Sequence, residues 1–147
     1  MVAAQGPLGQ WWWHHDAATG GVAGRYPVYS VHQHSMAPMA LRCLAVAGGR
    51  SHAAAAARGR AWLHANELGI DLVESATGIA WRSVERDEAP IRRRLRHARM
   101  LLARPEGEEG TPPRLRLNRE IRPYEWGWRL YATAIEDASP PPPGHIV

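Results

Sequence analysis

The stretch SVHQHSMAPMALRCLAVAGGRSHAAAAARGRAWLHANELG, residues 30–69, decides the fold class. Ser30 stands three residues before Gln33, the spacing of a capping box, in which a hydroxyl and an amide satisfy free backbone donors at a helix start. A helix is expected over 31–47, with Pro38 kinking it or resetting its start towards Ser35, and Gly48 and Gly49 ending it. Ser51 is the expected cap of a second helix, whose alanine run 53–57 has high helix propensity. Leu63 and Leu68 anchor that helix and Gly69 stops it. The first helix is apolar along much of its surface and the second is alanine-rich with Arg58 and Arg60, so an antiparallel pair with the first nearer the interior is expected.

Before this pair lies QWWWHHD, residues 10–16, a short strand by its alternation, followed by turn chemistry at Ala18, Thr19, Gly20 and Gly21 and by Val22 and Tyr26. After it, 70–73 and 79–84 flank Ala76, Thr77 and Gly78, so the Ala-Thr-Gly turn recurs at an offset of 58 residues. The second hairpin leads into a helix over 91–103, on which Ile91, Leu95, Ala98 and Leu102 share a face and Arg92, Arg93, Arg96 and Arg99 lie largely off it. Hairpin then helix occurs twice, which suggests a repeat of about sixty residues. Residues 104–113 read as an exposed loop and 115–121 as a brief extended segment. Tyr124, Trp128 and Tyr131 share one face of a last helix running to about Ile135. The expected organisation is a flexible N-terminus over 1–9, a helical-hairpin domain over 10–137, and a proline-rich disordered tail over 138–147.

At 147 residues the chain fits one domain. Its net charge is +4, but all 18 basic residues are arginine and there is neither lysine nor phenylalanine, a pattern of coding bias rather than of nucleic-acid binding. Cys43, the single cysteine, lies between leucines and is expected to be buried in a reducing compartment. The sequence has no signal-like N-terminus and no apolar run long enough to span a bilayer, so a cytoplasmic protein with no membrane partner is expected. The aromatic run begins ten residues after Met1, as in the C-terminal part of something longer.

The chemistry-bearing residues cluster around the tryptophans. In a strand Trp11 and Trp13 share one face and Trp12 takes the other, so at least one face is ring-rich, fit for core packing or for stacking on a sugar. Tyr26, Tyr29 and Gln33 add groups able to orient a polar ligand. Asp16 beside His15, with His32 across the hairpin, forms a candidate acid/base set, since a carboxylate can hold an imidazole in one tautomer. The plainer reading makes Asp16 the opening residue of an Asx turn and the histidines surface groups. Glu125, next to Trp126, is the candidate distant carboxylate for a two-carboxylate pair with Asp16 or Glu74. His32 and His34 diverge on a helix and His14 and His15 on a strand, so no metal site and no cofactor is expected. The arginine-rich helix from Arg92 to Arg99 could touch phosphates or an anionic membrane surface, but its apolar positions fit an ordinary amphipathic helix with a solvated face, which is the reading preferred.

Residues 10–16, 26–39, 81–86 and 122–131 together resemble part of an α/α toroid, the barrel of helical hairpins of six-hairpin glycosidase-like proteins and, more distantly, of terpene cyclases and prenyltransferases. The resemblance implies a mainly α fold: antiparallel helical hairpins of an incomplete toroid, with short β-hairpins in the connecting loops. It implies a C-terminal sector that binds carbohydrate or performs acid/base sugar chemistry, with Asp16, His15, His32 and Glu125 catalytic and Trp11, Trp13, Tyr26, Tyr29, Gln33 and Trp126 holding the sugar. Two other readings stay open. One is a non-enzymatic module completing a partner's toroid or self-associating, and the other an isoprenoid-binding sector. The four aspartates are isolated from one another, so the aspartate-rich motif of cyclases is absent.

Overall fold

The computed structural model describes residues 2–102 and 112–137, and within it the two Ala-Thr-Gly turns share the same backbone and threonine-hydroxyl bonds. Asp16 N–H donates to Gly21 O and Gly20 N–H to Asp16 O, both at 2.8 Å. Glu74 N–H likewise donates to Ile79 O at 2.8 Å and Gly78 N–H to Glu74 O at 2.7 Å. The threonine hydroxyl does the same work twice. Thr19 Oγ1 donates to Asp16 Oδ1 at 3.1 Å and accepts from Gly21 N–H at 3.2 Å; Thr77 Oγ1 donates to Glu74 Oε2 at 2.5 Å and accepts from Ile79 N–H at 3.2 Å. Gly20 and Gly78, at φ +69° and +68°, take the left-handed backbone that closes each turn. The flanking pairs His15 with Val22 and Val73 with Ala80 keep the same offset.

Around these turns the chain is mixed, which corrects the expectation of a mainly α toroid sector. Strands β1 (His14–His15) and β2 (Val22–Gly24) form one antiparallel pair. A second antiparallel sheet runs in the order β3 (Val28–Tyr29), β4 (Ser83–Arg86) and β5 (Leu115–Asn118), with Val84 opposite both Val28 and Leu117. Helices α1 (Ala37–Val46) and α2 (Ala53–Ala61) pack together as expected. Helices α3 (Pro90–Leu101) and α4 (Pro123–Asp137), however, are separated by β5 and do not form a second hairpin. The physical reason is that alternating apolar residues at 28, 84, 115 and 117 bury more surface by pairing across a sheet than as links between helices.

The core lies between that sheet and the segment following α2. Val28, Trp62, Leu72 and Val84 are fully buried together with Tyr26 and Leu63, and Trp12, Leu68, Leu115 and Leu117 close the edges. Glu67 ties this core by accepting from Gln10 Nε2 at 2.7 Å, Trp62 Nε1 at 2.8 Å and the Tyr26 hydroxyl at 3.1 Å. Burial, and then the charge of Glu67, raises the Tyr26 phenol well above its ordinary value.

Several local expectations change. Ser30 and Gln33 do not form a capping box: the Ser30 hydroxyl donates to Arg82 O at 3.1 Å, and Gln33 reaches the backbone of the tryptophan run. The helix starts at Ser30 and Val31 and widens into a π-helical turn, His32–Met36, closed by Ala37 N–H to His32 O. That wider turn lets Pro38, which has no N–H, sit at the start of α1 rather than kink it. Helix α2 starts after His52 without a side-chain cap and ends before Trp62, where Gly69 at φ +63° closes a later turn. Cys43 is exposed, because α1 buries only Ala37, Pro38 and Leu41. Residues 2–9, expected to be flexible, lie along α2: Gln5 Nε2 donates to Ala55 O at 2.9 Å and Arg58 donates to Gln5 Oε1 at 2.8 Å. The loop expected over 104–113 lies outside the described residues as far as 111, and the tail over 138–147 lies outside them altogether.

Trp11 packs on the alanine face of α2, over Gly59. A Cβ at Gly59 would meet Trp11 Nε1 at 2.4 Å, and a buried indole cannot swing away as a flexible chain would. Gly59→Ala is therefore expected to destabilise the fold by about 1–3 kcal/mol despite its gain in helix propensity, read as a lower urea midpoint at unchanged slope.

Candidate functional site

The π-helical turn His32–Met36 organises the candidate site because it contacts α1, α2, α4 and β3 and presents different residues to opposite sides. A wide turn brings His32 and Met36 to one side, towards the tryptophans, and sends His34 to the other, towards α4. Gln33, fully buried between them, accepts from Trp11 N–H at 2.9 Å and donates to Trp11 O at 3.3 Å and Tyr29 O at 3.1 Å. It fixes the tryptophan run against the turn; it does not reach a ligand.

On the tryptophan side is a hollow of about 480 Å³, within the range of small-molecule sites, lined chiefly by Trp11, Trp12, Trp13, His15, His32 and Met36. Trp13 is 53% exposed at its rim and stacks on His32, with ring centroids 4.4 Å apart and planes at 18°. Tyr29 meets both rings edge-on, at 6.2 Å from Trp13 and 5.4 Å from His32. Burial lowers His32 to a pKa of about 4, so its imidazole is neutral at physiological pH. The rim is therefore an uncharged ring pair held in place by a tyrosine.

The acid/base set expected from the sequence does not assemble there. Asp16 is half-buried, and its Oδ1 accepts from Ala18 N–H and Thr19 N–H, both at 2.8 Å, and from the Thr19 hydroxyl. Those bonds, led by the Thr19 backbone N–H, hold its carboxyl below the usual range: it is an Asx-turn residue. His15 lines the hollow, but its Nε2 lies 3.2 Å from Trp12 O and its Nδ1 3.4 Å from Gly20 O, so its nitrogens face backbone acceptors. Tyr26 opens into a separate hollow with Arg25, Arg86 and Glu67.

Glu125 and Trp126 lie on α4, on the far side of the turn. Glu125 is 4% exposed and neither carboxyl oxygen has a hydrogen-bond partner among the described residues. Burial raises its pKa to about 7, against the pull of Arg82 and Arg122. It shares a small cavity with His34, whose Nδ1 lies 2.5 Å from Ser35 Oγ, whose Nε2 has no partner among the described residues, and whose pKa burial lowers to about 4. Sequence reasoning named Glu125, but weighed His34 only as a metal ligand and Ser35 only as a helix start; the polar run Gln33, His34 and Ser35 inside an apolar helix was the available signal. Among the described residues no three His, Cys, Asp or Glu side chains are placed to hold a metal, and no helix is long and apolar enough to cross a membrane.

Comparison with known proteins gives no relative: no family model, curated protein or solved structure matches this chain.

Proposed function

We propose that this chain is a carbohydrate-binding module that holds a sugar ring against Trp13 in the hollow beside the π-helical turn and does not cleave it. The observation that carries this is the stacked, uncharged pair Trp13 and His32 at the rim of an apolar hollow of about 480 Å³. Apolar C–H faces of sugars pack on indoles, and the neutral imidazole behind Trp13 fixes the indole plane before a ligand arrives, lowering the entropic cost of binding. Hydrolysis needs two carboxyl groups flanking one bond. Among the described residues no carboxylate lines the hollow: Asp16 is held by its turn and Glu125 faces another cavity. The isoprenoid reading is less well supported, since among the described residues no arginine lines the hollow to hold a diphosphate.

Calorimetric titration with a panel of neutral oligosaccharides tests this. Trp13→Ala is expected to weaken the best ligand about tenfold or more, Trp126→Ala to leave it unchanged, and no reducing ends to accumulate. Because His32 is already neutral, its protonation is not expected to change affinity between about pH 6 and 8. Binding that survives Trp13→Ala, or turnover of any glycan, would contradict the proposal.

A further inference from the structure

Helix α3 is turned inside out. Successive residues of a helix are rotated by about 100°, which places Ile91, Leu95, Ala98 and Leu102 within an arc of about 60°. In a domain helix that arc faces the core. Here Ile91, Leu95 and Leu102 are 63%, 58% and 71% exposed, and Ala98 is exposed too. The side facing the domain is instead the one bearing Arg96 and Met100. Arg96 donates to Glu88 at 2.6 Å and to Tyr26 O at 3.3 Å, and Met100 lies against Gly24, where a Cβ would meet its Cε at 2.8 Å. A half-buried ion pair thus fixes the helix with its apolar strip outwards.

On α3 itself the charge beside the strip is of one sign. α3 carries five arginines and no acidic residue. By helical angle, Arg94 borders the apolar arc on one side and Arg92 and Arg99 border it on the other, and all three are exposed. A second copy docking strip to strip would bring these arginines against their own counterparts. The convex strip with cationic edges is instead complementary to a surface that is apolar beneath an anionic layer.

We propose that α3 docks the protein on an anionic lipid surface, with Ile91, Leu95 and Leu102 entering the headgroup region and Arg92, Arg94 and Arg99 meeting lipid phosphates. The contact lies in the plane of the interface, and the arginines make it salt-dependent.

Co-sedimentation of the full chain with vesicles tests this, comparing phosphatidylcholine alone with phosphatidylcholine containing about a third phosphatidylserine. Binding is expected only to the anionic vesicles. Leu95→Glu is expected to weaken it about tenfold or more, and Arg94→Gln combined with Arg99→Gln by a similar factor. All the substituted side chains are solvent-exposed, so far-UV circular dichroism and the urea midpoint should be unchanged. Absence of binding to anionic vesicles overturns the proposal. So does binding that Leu95→Glu leaves intact, which would be adsorption through net charge. Sedimentation velocity showing a dimer that Leu95→Glu dissociates would assign the strip to a second copy and equally overturn it.

Discussion

Replacing Trp62 by alanine is expected to cost the fold about 3–5 kcal/mol, a large part of the stability of a domain this size. Trp62 is fully buried among Tyr26, Val28, Leu63, Leu72 and Val84, at the point where the chain leaves α2 and crosses under the sheet. Its loss opens a cavity that the sheet above cannot collapse to fill. It also removes the indole N–H that Glu67 accepts at 2.8 Å, leaving a partly buried carboxylate with fewer donors. Trp62→Phe separates the two effects, because the phenyl ring keeps most of the volume and removes the donor. An intermediate loss of about 1.5–3 kcal/mol is expected for it, measured as the urea midpoint at constant slope. Equal effects of the two substitutions would mean that the hydrogen bond, not the packing, carries the site.

Stability is expected to fall by about 3 kcal/mol as the pH rises from about 4.5 to 8, through Glu125. Its carboxyl titrates near 4.5 in the unfolded chain and near 7 in the fold, because burial disfavours the anion. Between those values the unfolded state releases a proton that the folded state keeps, so the fold loses ground as pH rises and the loss is complete above about pH 7. His32 and His34 act in the opposite sense. Both are buried neutral with pKa values near 4, so their contribution is fully present above about pH 6.5 and is lost as pH falls through 4. Glu125→Gln keeps the shape of the neutral acid and has nothing to ionise. Urea titrations across this range should show its alkaline limb flattened and its acid limb unchanged. An alkaline limb identical to that of the unsubstituted protein would show that the buried group is not Glu125.

What was legible in the sequence was local. Asp16, Thr19 and Gly20, and their counterparts Glu74, Thr77 and Gly78, announce their turns because each bond lies within six residues of chain. The α1–α2 pair was legible for the same reason, since a glycine-bounded link leaves two helices few alternatives. The sheet β3–β4–β5 was not, because Val28 and Tyr29 are too few to show a period and their partners lie more than fifty residues away. Ser30 and Gln33 misled because a capping-box spacing is also the spacing of two side chains that reach backbone carbonyls far away in the chain, at Arg82 and Trp11. Amphipathicity located the apolar strip of α3 correctly but carries no sign for which way it faces; the ion pair of Arg96 with Glu88 decides that. At the site, the stacking residues were legible from composition. The separation of Asp16 and Glu125 from them was not, because it depends on the π-helical turn facing two ways.

A ring-shaped ligand is expected on Trp13 and not on the other aromatic surfaces, although Trp126 and Trp128 are also exposed. The most direct measurement is the set of seven indole N–H resonances in a ¹⁵N-labelled sample titrated with the oligosaccharide that binds best. The Trp13 signal is expected to move most, with smaller shifts at Trp11 and Trp12, while Trp126 and Trp128 stay in place. Saturable shifts at Trp126 or Trp128 with Trp13 unmoved would place the ligand on α4 and contradict the account.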